Sequence, residues 1–206
     1  LAFFGHLSFA ITDRLTTNLG VRHTDEHKDY TFSRRTYGGA VHPALGAIDG
    51  VTSNYDGSKF DYRVNLQYDW NDSLMTYVQW ATGFKGGGIS PRPFSAAQAV
   101  PFDTEELESY ELGVKSDLFN RTLRINASVF YSEYTDVQLT LASCPQYGVG
   151  LPCAVVANAG DAEVKGAELE VNYRPIAGLQ IDGSYSVLDF VYSSINPAAG
   201  GPTRPT

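Results

Sequence analysis

Residues 60–70 alternate without a break. Phe60, Tyr62, Val64, Leu66, Tyr68 and Trp70 are large and apolar, and Asp61, Arg63, Asn65, Gln67 and Asp69 between them are polar or charged. Successive side chains of a strand point to opposite faces, so this run is one strand with an oily face and a wet face. Its length is about twice the 5–6 residues of a usual soluble strand. It matches the roughly 9–11 tilted residues that cross a bilayer. Aromatic residues stand at both ends of the oily face, where membrane barrels carry their interfacial girdles.

The composition agrees. Charged residues make up 18% of the 206 and aromatic residues 13%, including 13 Tyr and 11 Phe, whereas soluble domains carry about 25% charged residues. No run of about 18 apolar residues exists, so no membrane-spanning helix is expected. Leu1 opens directly into strand-like sequence without a basic leader, and the expectation is that the chain begins within a longer protein. With 15 basic against 23 acidic residues, nucleic acid is not an expected partner, because a phosphate backbone selects basic surfaces. Cys144 and Cys153 lie in a stretch rich in Pro and Gly. A loop disulfide is one reading, which implies an oxidising compartment, and two free thiols are the other.

Strand-like segments come in pairs: 1–11 with 15–36, 58–70 with 74–85, 107–119 with 122–141, and 162–173 with 179–193. Connections within a pair are short. Those between pairs, near 37–57, 86–106 and 142–161, are long and rich in turn residues. Tight periplasmic turns and long outer loops are the asymmetry of outer-membrane barrels. Alternation recurs in Leu15, Thr17, Leu19 and Val21; in Leu123, Ile125, Ala127, Val129 and Tyr131; and in Ala167, Leu169, Val171 and Tyr173. Segments 15–36 and 122–141 are expected to run to about 20 residues, roughly 65 Å, and so to rise well above the bilayer. Asp103-Thr104-Glu105-Glu106 fits a helix capping box. The following Tyr110, Leu112 and Val114 have period two, so a loop entering a strand is expected, with a short helical turn as the alternative.

The run from Phe102 to Leu118, with Glu105 followed by Tyr110-Glu111-Leu112-Gly113 and Lys115, resembles the barrel domain of TonB-dependent outer-membrane receptors. The same resemblance extends to Leu123–Asp136, to Asn158–Glu170 and to Ala81-Thr82-Gly83-Phe84-Lys85-Gly86-Gly87-Gly88, in the family's order and over essentially the whole chain. It implies an all-β, antiparallel up-and-down transmembrane barrel segment, about eight strands of a larger barrel. Residues 1–206 would form a partial barrel domain without the plug domain, the TonB box or the closing C-terminal strands. The segment 200–206 reads as the start of an outer loop. The resemblance further implies active uptake of a scarce nutrient, often a ferric siderophore. The implied partners are outer-membrane lipid, the nutrient, and the TonB energy-coupling complex acting through the plug. No enzyme activity and no cofactor are implied. A complete eight-stranded structural or adhesive barrel and a soluble β-rich module remain the alternatives.

Candidate site residues follow from the alternation. Arg22, Arg63, Gln67, Arg124, Glu168 and Glu170 are expected to face the lumen, where they either satisfy one another, water and the plug or touch a passing substrate. Phe94, Phe102 and Tyr147 in the outer loops are candidates to grip a ligand by stacking. His23 and His27 have metal-like spacing, but four residues of strand span about 13 Å, too far for one ion. Asp25, Glu26 and Asp29 read as a solvated rim. Gly86-Gly87-Gly88 lacks the Lys-Ser/Thr of a phosphate loop and reads as a flexible loop exit. The sequons at Asn71, Asn120 and Asn126 fall at turns or within a strand and read as chance.

Overall fold

The computed structural model describes residues 1–147, 150 and 152–199, and 200–206 lie outside the described residues. The strands are β1 Ala2–Ala10, β2 Leu15–Thr31, β3 Thr52–Asn71, β4 Leu74–Lys85, β5 Gly88–Ile89, β6 Pro101–Phe102, β7 Glu105–Leu118, β8 Leu123–Thr135, β9 Gln138–Leu141, β10 Val155–Asn158, β11 Gly160–Ile176 and β12 Leu179–Ile195. Eight of them form one antiparallel sheet in the order β1-β2-β3-β4-β7-β8-β11-β12, and β5–β6 and β9–β10 form two small ribbons. The sheet does not close on itself: β1 and β12 are its two edges. A complete eight-stranded barrel is therefore not what this chain forms.

Directly paired residues share a face, so the registers sort every side chain. One row runs across all eight strands as Phe9, Thr17, Leu66, Val78, Leu112, Val129, Ala167 and Val187. The next row, on the opposite face, reads Ala10, Thr16, Gln67, Tyr77, Gly113, Ser128, Glu168 and Ser186. Oil and water thus separate across one backbone thickness over the full width of the sheet. At the outer end of the apolar face Trp80, Tyr110 and Tyr131 stand side by side in register. Glu108 accepts hydrogen bonds from Trp80 Nε1 and the Tyr110 hydroxyl, both 2.6 Å, and Glu133 accepts one from the Tyr131 hydroxyl at 2.8 Å. Polar tips reaching outward into carboxylates mark where hydrocarbon gives way to water.

The short turns carry their own chemistry. Thr12 Oγ1 accepts from the amides of Arg14 and Leu15 at 3.2 and 3.0 Å, and Asn71 Oδ1 accepts from the Ser73 amide at 2.8 Å. Gly178 at φ 84 closes the β11–β12 turn, a conformation that favours glycine. The β7–β8 turn instead holds Phe119, Asn120 and Arg121 at φ 52, 55 and 65, unfavourable for Phe and Arg in particular.

Strand extents differ from expectation in three places. β2 ends at Thr31 and β8 at Thr135, at 17 and 13 residues, while β3 starts at Thr52 and reaches 20. The polar stretch 52–58 pairs residue for residue with 25–31 of β2. β2 stops because Phe32 turns into a small core. β8 stops because Asp136, at φ 57, swings the chain out of the sheet. The capping-box sequence forms no helix: Glu105 opens β7 directly.

That small core lies above the sheet's apolar band. The outer connections 32–51 and 86–104 pack together, and Phe32, Ile48, Tyr55 and Ile89 are buried in one cluster with Tyr30, Leu45, Val51 and Ala99 against it. Gly86 and Gly87 belong to this packing: a Cβ on Gly86 would meet the Glu26 carboxylate, and one on Gly87 the Tyr55 ring and the Phe102 carbonyl. The expected flexible exit is a close approach of backbone, and glycine is needed there for space.

Candidate functional site

The polar face carries the six residues singled out in sequence, each from a strand whose alternation sends it there. Arg22 Nε donates to Thr24 Oγ1 at 3.1 Å, and Arg63 Nε to Gln79 Oε1 at 2.8 Å. Gln67 Nε2 donates to Asp69 at 3.2 Å. Arg124 grips Asp117 with two parallel hydrogen bonds of 2.6 and 2.9 Å, a geometry that a planar guanidinium is built for. Glu170 accepts from Asn126 Nδ2 at 3.3 Å. Between them the Tyr77 hydroxyl bonds to Glu111, and the Lys115 ammonium lies 5.7 Å from the centre of the Tyr77 ring. Gly113 makes room for that ring. The basic members Arg22 and Arg63 sit on β2 and β3, and the acidic pair Glu168 and Glu170 sits on β11.

The second part of the site is the cap formed by the outer connections. Its hydrogen bonds were not foreseen from sequence. Asn158 Nδ2 donates to the carbonyls of Asp103, Thr104 and Asp136 at 3.0, 3.2 and 2.9 Å, and its Oδ1 accepts from the Asp103 amide at 2.8 Å. Gln138 Nε2 reaches the carbonyls of Lys85, Gly86 and Asp103 at 3.3, 3.0 and 3.0 Å, and its amide donates to Glu105 Oε2 at 2.8 Å. Ser90 Oγ accepts from the Val156 amide at 3.1 Å and donates to its carbonyl at 3.3 Å. Gln98 accepts from the Phe94 amide and donates to the Pro152 carbonyl, both at 2.9 Å. Ser90 and Gln98 are fully buried, so these bonds answer groups that water cannot reach. No periodicity announces such residues. The available signal was a polar amide inside an otherwise strand-like stretch.

The candidate ligand-stacking residues are half-buried in this cap. Phe94 is tied to Gln98 through its amide. Phe102 lies in β6 with its ring on Gly88, and the Tyr147 amide donates to the Cys144 carbonyl at 3.1 Å. No ring contact joins the three among the described residues. Cys144 and Cys153 are joined by a disulfide, with Cα atoms 5.8 Å apart.

The rim histidines lie on the outward face of β2. His27 Nδ1 is 2.5 Å from Asp56 and Nε2 is 3.0 Å from Asp29. Ionised carboxylates only accept, so a protonated ring donates from both nitrogens, one to each carboxylate. Its pKa is raised, first by the Asp56 hydrogen bond and then by Asp29. His23 Nε2 bonds to Ser58 at 2.9 Å, and its Nδ1 lies 3.4 Å from Asp25.

Comparison with known proteins adds three findings. The family described as TonB dependent receptor-like, beta-barrel, matches residues 1–205. The pesticin receptor of Yersinia pestis is 28% identical over 188 residues, which is 91% of this chain and 25% of that protein. Among solved structures, the ferric yersiniabactin uptake receptor from Yersinia pestis superposes with a TM-score of 0.75 at 23% identity, over 93% of this chain and 27% of that one. The alcaligin outer-membrane receptor from Bordetella pertussis gives 0.65 at 19%, over 95% and 30%. At those identities the structural likeness speaks for the fold. The chain spans about a quarter of the length of the curated relatives it matches.

Proposed function

This chain belongs to the TonB-dependent receptor-like β-barrel family, whose place is the bacterial outer membrane, and from that premise we propose that it is part of the wall and outer mouth of a receptor for active uptake of a ferric siderophore. The observation that carries this reading is the pairing of a two-faced wall with a packed cap at its outer end. A receptor must sit in lipid, offer a polar path and hold a ligand before it moves. The apolar rows meet lipid. The network of Arg22, Arg63, Gln67, Arg124, Glu168 and Glu170 faces the lumen and, through ion pairs and amides, gives a plug domain a polar surface to slide against. Phe94, Phe102 and Tyr147 offer ring surface to the ligand from the cap. The energy comes from the TonB complex pulling on the plug.

The test uses the full-length receptor in iron-starved cells. Uptake of radiolabelled iron is measured with ferric yersiniabactin, ferric alcaligin and a ferric catecholate, before and after a short Gly-Ser turn replaces residues 87–103. One of these should be taken up by the intact receptor and bound at least about tenfold more weakly by the shortened one. Uptake of none of them would end the siderophore reading. Unchanged affinity in the shortened receptor would remove this connection from the ligand site.

A further inference from the structure

We infer that the outer connection 86–104 and the described parts of the next one, 136–147 and 152–159, form one rigid leaf, pinned by Asn158 and Gln138, so that this part of the mouth opens and closes as a unit and not loop by loop. The bonded residues of the two connections lie 35 to 66 positions apart in sequence. Asn158 sits at the end of β10 and spends its amide group on the far connection, at Asp103 and Thr104, as well as on Asp136 in its own. Gln138 sits at the start of β9 and does the same for Gly86 and Asp103, reaching Lys85 at the end of β4 as well. These two pins lie at the base of the leaf, next to the sheet.

A second line of bonds lies further out. Ser90 closes a two-way hydrogen bond with the Val156 backbone, and Gln98 reaches Pro152. Both side chains are fully buried. Parting the connections would strand a buried hydroxyl and a buried amide together with the backbone groups they serve, all away from water. The low-energy motion therefore keeps the pair together and bends where the leaf meets the sheet. Asp136, held at φ 57 beside the β8 end, marks one such point. A ligand that touches either connection then shifts both.

Hydrogen exchange on the intact full-length receptor, without ligand, tests this apart from the transport reading. Peptides covering 86–104 and 137–147 should exchange with a common opening rate. Asn158→Ala should speed both by about tenfold, while the turn at 71–74 is unchanged. Acceleration confined to 136–159, with 86–104 untouched, would overturn the inference. If the Asn158→Ala receptor fails to assemble, Gln138→Ala is read the same way, with a smaller shift of about threefold expected in both connections. Opening rates that already differ between the two connections in the parent would overturn it as well.

Discussion

The wall and the cap are built from the same chain and place their apolar residues in opposite ways. In the wall, Val64, Leu112 and Val129 are 41%, 56% and 53% exposed. In the cap, Ile48, Ile89 and Phe32 are 0%, 2% and 6% exposed. The wall has no interior to bury into: one face meets lipid and the other a polar path, so its strands alternate. The cap stands in water and must make its own interior, so it breaks alternation, coils its connections and satisfies buried amides internally. One chain thus folds against two solvents, and the boundary between them runs at Trp80, Tyr110 and Tyr131.

The sharpest way to break this contrast is to exchange the polarity of adjacent wall residues. Leu66 lies in the middle of the apolar row and Gln67 on the other face. Leu66→Arg in the full-length receptor, unfolded by urea in phospholipid vesicles, should lose about 2–4 kcal/mol. Gln67→Arg should stay within about 0.5 kcal/mol, as substitutions at wetted positions do. Equal losses would mean that the faces have been assigned wrongly. In the cap the expected response is local. Ile48→Ala should cost about 2 kcal/mol, the low end for a buried aliphatic because this core is small. It should appear as faster exchange across 32–51 and at Ile89, with the wall's unfolding midpoint unchanged. A global shift would merge wall and cap into one cooperative unit.

The legible part of this molecule is the part that lipid imposes. Alternation in 60–70 and its counterparts discloses the strands, their faces and the tight turns, because a lipid-facing row favours apolar side chains and the opposite row polar ones. The extension of β3 to Thr52 left no such mark. Asn54, Asp56 and Gly57 have poor strand propensity, and both faces of that stretch are wetted or packed on cap residues. Its strand comes from pairing with 25–31, a partner equally without pattern. Gly86 and Gly87 were misread for a related reason: composition cannot distinguish a glycine that moves from one that leaves room for Tyr55 and Glu26. Asn158 lies within the family-like segment, yet its role depends on the chain leaving the sheet at Asp136, which no local rule shows.

The staple at Cys144 and Cys153 sharpens the contrast from the cap side. Reducing it, or replacing both cysteines by serine, frees a short loop, for which chain entropy gives roughly 2–3 kcal/mol. The effect should stay at the tip: proteolysis between 142 and 154 should accelerate, while heat-modifiable mobility of the barrel is unchanged. Loss of barrel assembly after reduction would tie the tip to the wall.

The smallest effect concerns the rim, where β2 and β3 leave the membrane. A folded-state pKa raised above the ordinary value of about 6.5 means that His27 adds stability below that pH and loses it as pH rises through the raised value. The groups that set this are Asp56 and Asp29, which hold the ring, with Asp25 and Ser58 next along the same face and Glu26 and Lys28 on the other. The ring is solvent-exposed, so screening keeps the effect modest. Amides of 25–31 should exchange about two- to threefold faster in His27→Gln than in the parent at pH 5.5, where the imidazolium bridges two carboxylates. The difference should shrink as pH rises through the raised value, because the parent then loses the same charge. A difference that grows toward high pH would show that the ring holds the strands as a neutral acceptor, and would reverse the sign of charge assigned to this corner of the rim.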